Sequence, residues 1–593
     1  MMPFTTRPDI TGTFGVVTST HWIASAVGMR ILERGGNAFD AAVATGFVLQ
    51  VVEPHLNGPG GEFPAIFQKP GQTPQVLCAQ GCAPAGASIA HYRDQGLTEV
   101  PGSGLLATVI PGAFDGWMLM LRDHGTKRLR EVLEPALYYA RHGHTILPRV
   151  SATIEGLAEF FRSEWPGSAQ IWLPGDQVPR AGTLFANPTL ADTWDRLLSE
   201  AERAKSRTAQ INAARRIWRD GFVAEAVDRF MRDTSAMDAS GGRHKGVLTG
   251  QDMAGWQAGY EAPARFNYEG WDIFKTGPWG QGPVLLQSLS LLGYHDIAAR
   301  DPNSADFAHL VIEAMKLAYA DRDAYYGDGA DVPLDLLLDP AHTAARARMV
   351  GPRAALEQRP SRIPGLEHLA DAAIARAAPP SASGGIDAGE PTLAALGDRR
   401  GDTVHLDVID RWGNMVAVTP SGGWLQSSPV IPELGFCLNT RAQMFWLEEG
   451  ASQSLAPGKR PRTTLSPSLA QGPEGEALVF GSPGGDQQDQ WQLIWFLRMA
   501  HHRMGLQEAI DSPLFHTSHF TSSFAPRRAD PGAVMIEPGF GADVIADLRT
   551  MGHRVTVAEP WTVGRLTAAR RTHDGVLTAA ATPRLMQAYA VGR

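Results

Sequence analysis

Residues 402–419 read Asp402-Thr-Val-His-Leu-Asp-Val-Ile-Asp-Arg-Trp-Gly-Asn-Met-Val-Ala-Val-Thr419, and the fold turns on them. Thr403 to Asp410 alternates apolar and polar side chains, Arg411-Trp-Gly-Asn414 turns, and Met415 to Thr419 alternates again. That pattern is a β-hairpin. The composition just before it is different: from about 351 to 402, Pro, Ala, Ser and Gly dominate (Ala377-Ala-Pro-Pro-Ser-Ala-Ser-Gly-Gly385), as in a mobile linker. A strand that opens with Thr directly after a cleavable segment suggests a nucleophile made by chain cleavage. Breaking the Asp402–Thr403 bond would give Thr403 a free α-amino group, with a pKa of about 8, beside its own hydroxyl. One residue would then supply nucleophile and general base. The plain alternative is a β-branched residue starting a strand.

Toward the N-terminus, Phe14-Gly-Val-Val-Thr-Ser-Thr20 reads as a strand, and Ser25 to Arg34 as a helix closed by Gly35-Gly36. Asn37 then caps a very apolar helix, Ala38 to Val52, which must be buried on nearly all faces. It ends at Glu53-Pro-His55 and runs into Asn57-Gly-Pro-Gly-Gly61, whose glycines allow close backbone approach. Residues 110–350 are mostly helical, including Leu133 to His142 and Ser304 to Tyr326. Trp271 to Lys275 reads as a strand entering Gly277-Pro-Trp-Gly-Gln-Gly-Pro283. Beyond the hairpin come a strand at Ala477 to Phe480, helical patterns at Gln487 to Met504 and Leu506 to Ile510, and a terminal meander from His553 to Ala581. Strands with helices outside them predict a layered α/β architecture.

The chain has 593 residues, 44% hydrophobic and 19% charged, which excludes wholesale disorder. A net charge of −9 argues against a general nucleic-acid or anionic-membrane binder. No apolar run reaches the roughly 18 residues of a bilayer span, and Met1 to Trp22 shows no signal-peptide pattern, so a cytoplasmic protein is expected. Cys78, Cys82 and Cys437 make neither a disulfide framework nor a zinc site. His501-His502 and His516-x-x-His519 lack companion ligands, so no metal is expected.

Two further segments carry chemistry. Gly481-Ser-Pro-Gly-Gly485 follows a strand and precedes a helix, and paired N–H groups of Gly484-Gly485 can face a developing oxyanion. A glycine turn or an anion nest is the alternative. Lys459-Arg-Pro-Arg-Thr-Thr-Leu-Ser-Pro467 sets the hydroxyls of Thr463 and Thr464 in a proline-flanked loop.

Together these segments resemble the γ-glutamyltransferase family of N-terminal-nucleophile hydrolases. The match runs in the family's order through Gly35-Gly-Asn-Ala-Phe-Asp-Ala-Ala-Val43, Glu53-Pro-His55, Gly58-Pro-Gly-Gly61, Ala83-Pro-Ala85, Ile110-Pro-Gly112, Tyr319-Ala-Asp-Arg322, the Thr403 hairpin, Lys459-Arg-Pro461 and Gly481-Ser-Pro-Gly-Gly485. The resemblance implies a four-layer αββα sandwich with a large helical portion in the N-terminal fragment. It implies cleavage between Asp402 and Thr403, fragments 1–402 and 403–593 held together as one intertwined unit, and an acyl-enzyme on Thr403. Gly484 and Gly485 become oxyanion donors. Ser421 stands where the family usually has a second threonine supporting the nucleophile, and Thr463 and Thr464 stand where it commonly has a carboxylate-binding serine pair. No cofactor is implied. A dimer of such units is compatible with the resemblance.

The departures concern substrate. Gln80 replaces an Arg that grips the glutamyl carboxylate, Gln443 replaces an Asp that holds its amino group, and Gly423 replaces an Asn. Gln cannot reproduce the bidentate, charge-assisted contact of Arg. A γ-glutamyl donor would be poorly paired, so a different acyl group is expected: a small, carboxylate-bearing amide of the oxamate kind. Arg441 is the candidate cation, with a surface arginine as the alternative, and Trp424 and Phe445 would narrow the pocket. A true γ-glutamyltransferase, a glutaryl-type cephalosporin acylase and an uncleaved, non-catalytic relative are the competing readings.

Overall fold

A computed structural model describes residues 4–329, 332–377, 403–525 and 527–593, together with the main chain of 390–391 and 400–401. Two seven-stranded antiparallel sheets pack face to face. The first runs in the order Tyr589–Gly592, Gly15–Ser19, Leu406–Asp410, Met415–Val418, Phe63–Gln68, Gln75–Ala79, Gly259–Glu261. The second runs Ile10–Gly12, Leu577–Ala581, Thr567–Arg571, Ala477–Gly481, Ser468–Gln471, Trp271–Lys275, Ala264–Tyr268.

The hairpin lies at the centre of the first sheet, in the register Leu406↔Val418 and Ile409↔Met415. Its turn is held by Asp410, whose Oδ1 accepts from the N–H groups of Trp412 (2.9 Å) and Asn414 (3.0 Å), while Gly413 takes φ +86°. Strand alternation sends successive side chains to opposite faces. Leu406, Val408, Val416 and Val418 meet the first helical layer, while Ile409, Met415 and Ala417 meet the second sheet through Val479, Ala569 and Leu577. The polar half of the alternation is therefore not solvent-facing: His405 and Asp407 are buried between the sheets.

Helix Ala38–Val52 supplies the centre of the first helical layer. The Asn37–Asp40 capping box starts it and every residue in it is buried. Asp410 Oδ2 accepts from Ala38 N–H at 2.8 Å, tying the hairpin turn to the helix start. Pro283–Leu292, Ala305–Tyr325 and Gln488–His502 pack on the second sheet around Ile273, Leu478, Phe480 and Ala568. The result is the expected αββα sandwich. Both sheets interleave strands from either side of position 403, so a cut there would leave a shared hydrogen-bonded core.

Two sequence expectations need amendment. The segment 351–377 is not a linker: Glu367–Arg376 is a helix that buries Ala370 and Ala373 against the second helical layer. The linker's remainder, apart from four main-chain positions, and Asp402 lie outside the described residues. The terminal meander is divided. Arg554–Val557 pairs in parallel with Ala533–Ile536 in a separate three-stranded sheet, and only Thr567–Arg571 and Leu577–Ala581 enter the sandwich.

Candidate active site

Thr403 is buried at the head of the central strand, and its Oγ1 donates to Ser421 Oγ at 3.2 Å. The main chains agree with this pairing, since Val404 N–H bonds to Pro420 C=O at 3.0 Å. Below lies a buried polar chain. His405 Nε2–H donates to Asp407 Oδ1 (3.0 Å), and with that proton placed, Nδ1 accepts from Thr419 Oγ1 (2.9 Å). Asp407 Oδ2 also accepts from Thr18 Oγ1 (2.8 Å) and, across the sandwich, from Thr567 Oγ1 (2.6 Å). A buried carboxylate satisfied this way is tolerable, and it pins both sheets beneath Thr403. A Cβ at Gly481 would come within 2.2 Å of the His405 ring, which seats the strand leading to Gly484 on the same histidine.

The Asn57–Gly61 loop packs against the protein's own main chain. A Cβ would stand 2.4 Å from Gly423 C=O at Gly58, 2.2 Å from Cys437 C=O at Gly60, and 2.2 Å from Ser421 C=O at Gly61. Glu62 N–H and C=O then pair with Ser421 (2.9 and 3.0 Å). Gly423, at φ +69°, is crowded from the other side. A Cβ there would stand 3.0 Å from Gly61 N and 3.1 Å from Cys437 C=O, so an Asn would force this loop aside. Asn439 completes the contact, donating to Gly60 and Val109 C=O and accepting from Val109 N–H, each at 3.0 Å. Sequence reasoning missed Asn439, although its place beside the candidate Arg441 was a usable signal.

Gly484 (φ +123°) and Gly485 (φ +56°) lead through a short 3₁₀ turn into helix Gln488–His502. A Cβ at Gly484 would overlap the Trp491 ring at 2.2 Å. Among the described residues, neither N–H of this pair is used in a hydrogen bond, which suits donors awaiting an oxyanion. The Tyr319-Ala-Asp-Arg322 segment acts on the next residue: Tyr319 Oη donates to Asp486 C=O and Arg322 pairs with the Asp486 carboxylate. Gln281 Nε2 reaches Gly485 C=O (3.4 Å), and Gln281 N–H bonds to Thr463 C=O (2.9 Å), so one residue joins the glycine loop to the threonine loop.

Thr463 and Thr464 are fully buried, and Thr464 Oγ1 has no hydrogen-bond partner among the described residues. Their loop is fixed by a buried ion pair that the sequence did not reveal. Lys275 Nζ lies 2.9 Å from Asp489, which also accepts from Ser466 Oγ (2.7 Å). Burial pulls the Lys275 pKa down and pushes the Asp489 carboxyl up.

The head-group candidates separate. Gln80 and Gln443 are buried, each with its side-chain oxygen lacking a partner among the described residues. Gln443 Nε2 donates to Gly102 C=O (3.3 Å) and Thr440 Oγ1 (3.2 Å), but no hydrogen bond among the described residues joins Gln80 to the other candidates. Arg441 is not on the surface: it is fully buried, pairs with the Glu62 carboxylate, and lies 5.0 Å from the Trp424 ring centre. Burial raises the Glu62 pKa to about 7, with Arg441 opposing the shift. Among the described residues, His309, Glu313 and His553 bring ligand atoms within 4.8 Å. Lys316 and Arg359 hold Glu313, however, and both His309 nitrogens are hydrogen-bonded, to His553 and Gly351 C=O (each 2.8 Å).

The family model for gamma-glutamyltranspeptidase matches residues 24–592. The chain belongs to this family. Within it, the chain is 30% identical to the acylase ACY 1 proenzyme of Pseudomonas sp. (strain V22), over 97% of this chain and 93% of that one. It is 28% identical to the glutathione hydrolase-like YwrD proenzyme of Bacillus subtilis (97% and 98% covered) and 28% identical to the oxamate amidohydrolase proenzyme of Klebsiella pneumoniae (96% and 97%). A solved structure of LmbA2991 matches the γ-glutamyltranspeptidase fold seen here with TM-score 0.94 and 54% identity over 100% of both chains. The cephalosporin acylase of Bacillus halodurans matches with TM-score 0.81 and 25% identity, over 100% of this chain and 98% of that one. Family membership makes this protein an N-terminal-nucleophile enzyme of the hydrolase and transpeptidase kind.

Proposed function

We propose that this γ-glutamyltranspeptidase-family protein is an autoprocessed amidohydrolase whose nucleophile is Thr403 and whose substrate is a small amide bearing a carboxylate, of the oxamate kind. The observation that carries the reading is the Thr403 Oγ–Ser421 Oγ hydrogen bond at the head of a strand. In maturation Thr403 Oγ attacks the carbonyl of residue 402; collapse breaks the C–N bond, which frees the α-amine and leaves an ester on Oγ, and hydrolysis of that ester separates the fragments and restores the hydroxyl. In turnover that amine takes the Oγ proton, Oγ attacks the substrate amide, and Gly484 and Gly485 N–H groups bind the oxyanion. The α-ammonium then passes its proton to the amide nitrogen, collapse expels ammonia, and water hydrolyses the acyl-enzyme. The neutral Gln80 and Gln443 favour an acyl group without an amino-acid head, and Thr463 and Thr464 offer hydroxyls to its carboxylate. The interleaved sheets would keep fragments 1–402 and 403–593 together, and a dimer of such units and a cytoplasmic setting are part of the proposal. Its three free cysteines accord with a reducing compartment.

The test combines intact-mass analysis with ammonia release from a panel of small amides. Wild type should split before Thr403, and Thr403→Ala should remain a single chain without turnover. Oxamate should be turned over faster than γ-glutamyl anilide or a glutaryl amide. A new N-terminus elsewhere, or preference for a γ-glutamyl donor, would overturn the assignment.

A further inference from the structure

A second set of arginines lies beside the proposed acyl site. Asp323, Arg376, Trp446, Arg462, Thr521 and Arg527 are among the residues lining a cavity of about 10 Å³, room for one water-sized group. Arg462 and Arg527 are buried. Arg527 Nη2 donates to the C=O groups of Gln443 and Phe445, and its guanidinium lies 4.2 Å from the Trp446 ring centre. Among the described residues, Arg527 Nε and Nη1 and Arg462 Nε have no hydrogen-bond partner.

The local charge does not balance. Three buried guanidiniums, Arg322, Arg462 and Arg527, face two carboxylates, Asp323 and Asp486. Arg322 pairs with both, and Arg462 shares Asp323 at 3.5 Å. Arg376 is matched by Glu448 at 3.0 Å. Arg527 makes no ion pair among the described residues, and Glu99, which acts on it only through space, is exposed. A buried, uncompensated guanidinium with idle donors is costly, and a bound anion removes the cost.

We propose that this pocket is a small-anion site, holding one oxygen of a carboxylate or a halide ion between Arg527 and Arg462. Its position links it to all three loops of the candidate active site. Arg462 precedes Thr463, Arg527 grips the main chain around Gln443, and Ser523 Oγ, also in the lining, bonds to Asp486 next to Gly485. A bound anion would fix these loops relative to one another. The site does not depend on the amide chosen above, because anion binding is measured without turnover.

Purified full-length protein is titrated with sodium formate or chloride, with gluconate holding the ionic strength constant, while the melting temperature is followed. A saturable rise is expected with both small anions. Arg527→Gln should raise the apparent Kd at least ~tenfold, the scale of one charged hydrogen-bonding partner. Should that variant fail to fold, Thr521→Val, which removes a hydroxyl from the lining, should raise Kd about threefold, as expected for a weaker neutral contact. No saturable shift in wild type, or an unchanged Kd in the folded variant, would overturn the site. In turnover assays, formate raising KM at constant kcat assigns the pocket to the substrate's carboxylate. Binding without an effect on KM assigns it to a free ion, and either result supports an anion site.

Discussion

Arg441 and Arg527 are both buried beside the loops of the candidate active site, yet they stand in opposite electrostatic situations. Arg441 has a protein carboxylate, Glu62, and an aromatic face, Trp424. Arg527 has an aromatic face, Trp446, and two main-chain carbonyls, but no carboxylate in ion-pair range among the described residues. The first is an internal pair that fixes the loops around Ser421. The second has charge to offer a ligand. An arginine near a site is therefore a ligand-binding candidate only after its internal partners have been counted.

The largest effect should come from breaking the internal pair. In a Thr403→Ala background, which should keep one chain, Glu62→Ala takes the carboxylate away from a buried guanidinium and should cost about 3–5 kcal/mol. Arg527→Met removes hydrogen bonds to two carbonyls but no carboxylate partner, so it should cost no more than about 2 kcal/mol. Urea unfolding measures both, and the reverse order would invalidate the contrast.

A smaller effect should appear with pH. Glu62 is raised in the folded state to about 7 from an ordinary value of 4.5. The native state thus binds more protons than the unfolded chain across that window. The Glu62 contribution to stability is fully present below pH 4.5 and is lost as pH rises through 7. Glu53, also raised to about 7, acts in the same direction, whereas buried His516 and His519, lowered to about 3, act oppositely at lower pH. The diagnostic is consequently a difference: stability of the Thr403→Ala protein minus that of its Glu62→Gln derivative should decline from pH 4.5 to 7. A flat difference would mean that Glu62 remains ionised throughout.

The smallest effect should come from Ser421, the proposed support of the proposed nucleophile Thr403. Ser421→Ala removes one neutral hydrogen bond to Thr403 and should lower kcat about tenfold or less, with KM nearly unchanged. A collapse of several orders of magnitude would promote Ser421 from support to an essential proton carrier.

Local chemistry made much of this readable. The Asn37 cap, the largely apolar Ala38–Val52 helix, the Trp271–Lys275 strand and the Thr403 hairpin each depend on neighbours a few residues apart, and each forms as expected. The readings that needed revision depended on distant partners. Glu62 lies 379 positions from Arg441, and Lys275 far from Asp489, so no spacing rule could pair them. Glu367–Arg376 looked like linker because alanine-rich sequence is compatible with mobile chain, while its stability comes from burying Ala370 and Ala373.

Many of the elements and the order of the candidate catalytic segments were written into the chain, because capping, turn formation and side-chain periodicity act over a few residues. So were the glycine positions, because only a missing Cβ permits main chain to pack on main chain. Which charges are already matched was settled at the level of the folded molecule alone. Coulombic pairing and burial depend on distance in space, and these paired groups are hundreds of residues apart along the chain. That is why Arg441, suspected first, proved to be matched within the protein, and why the charge of Arg527 became visible only after folding.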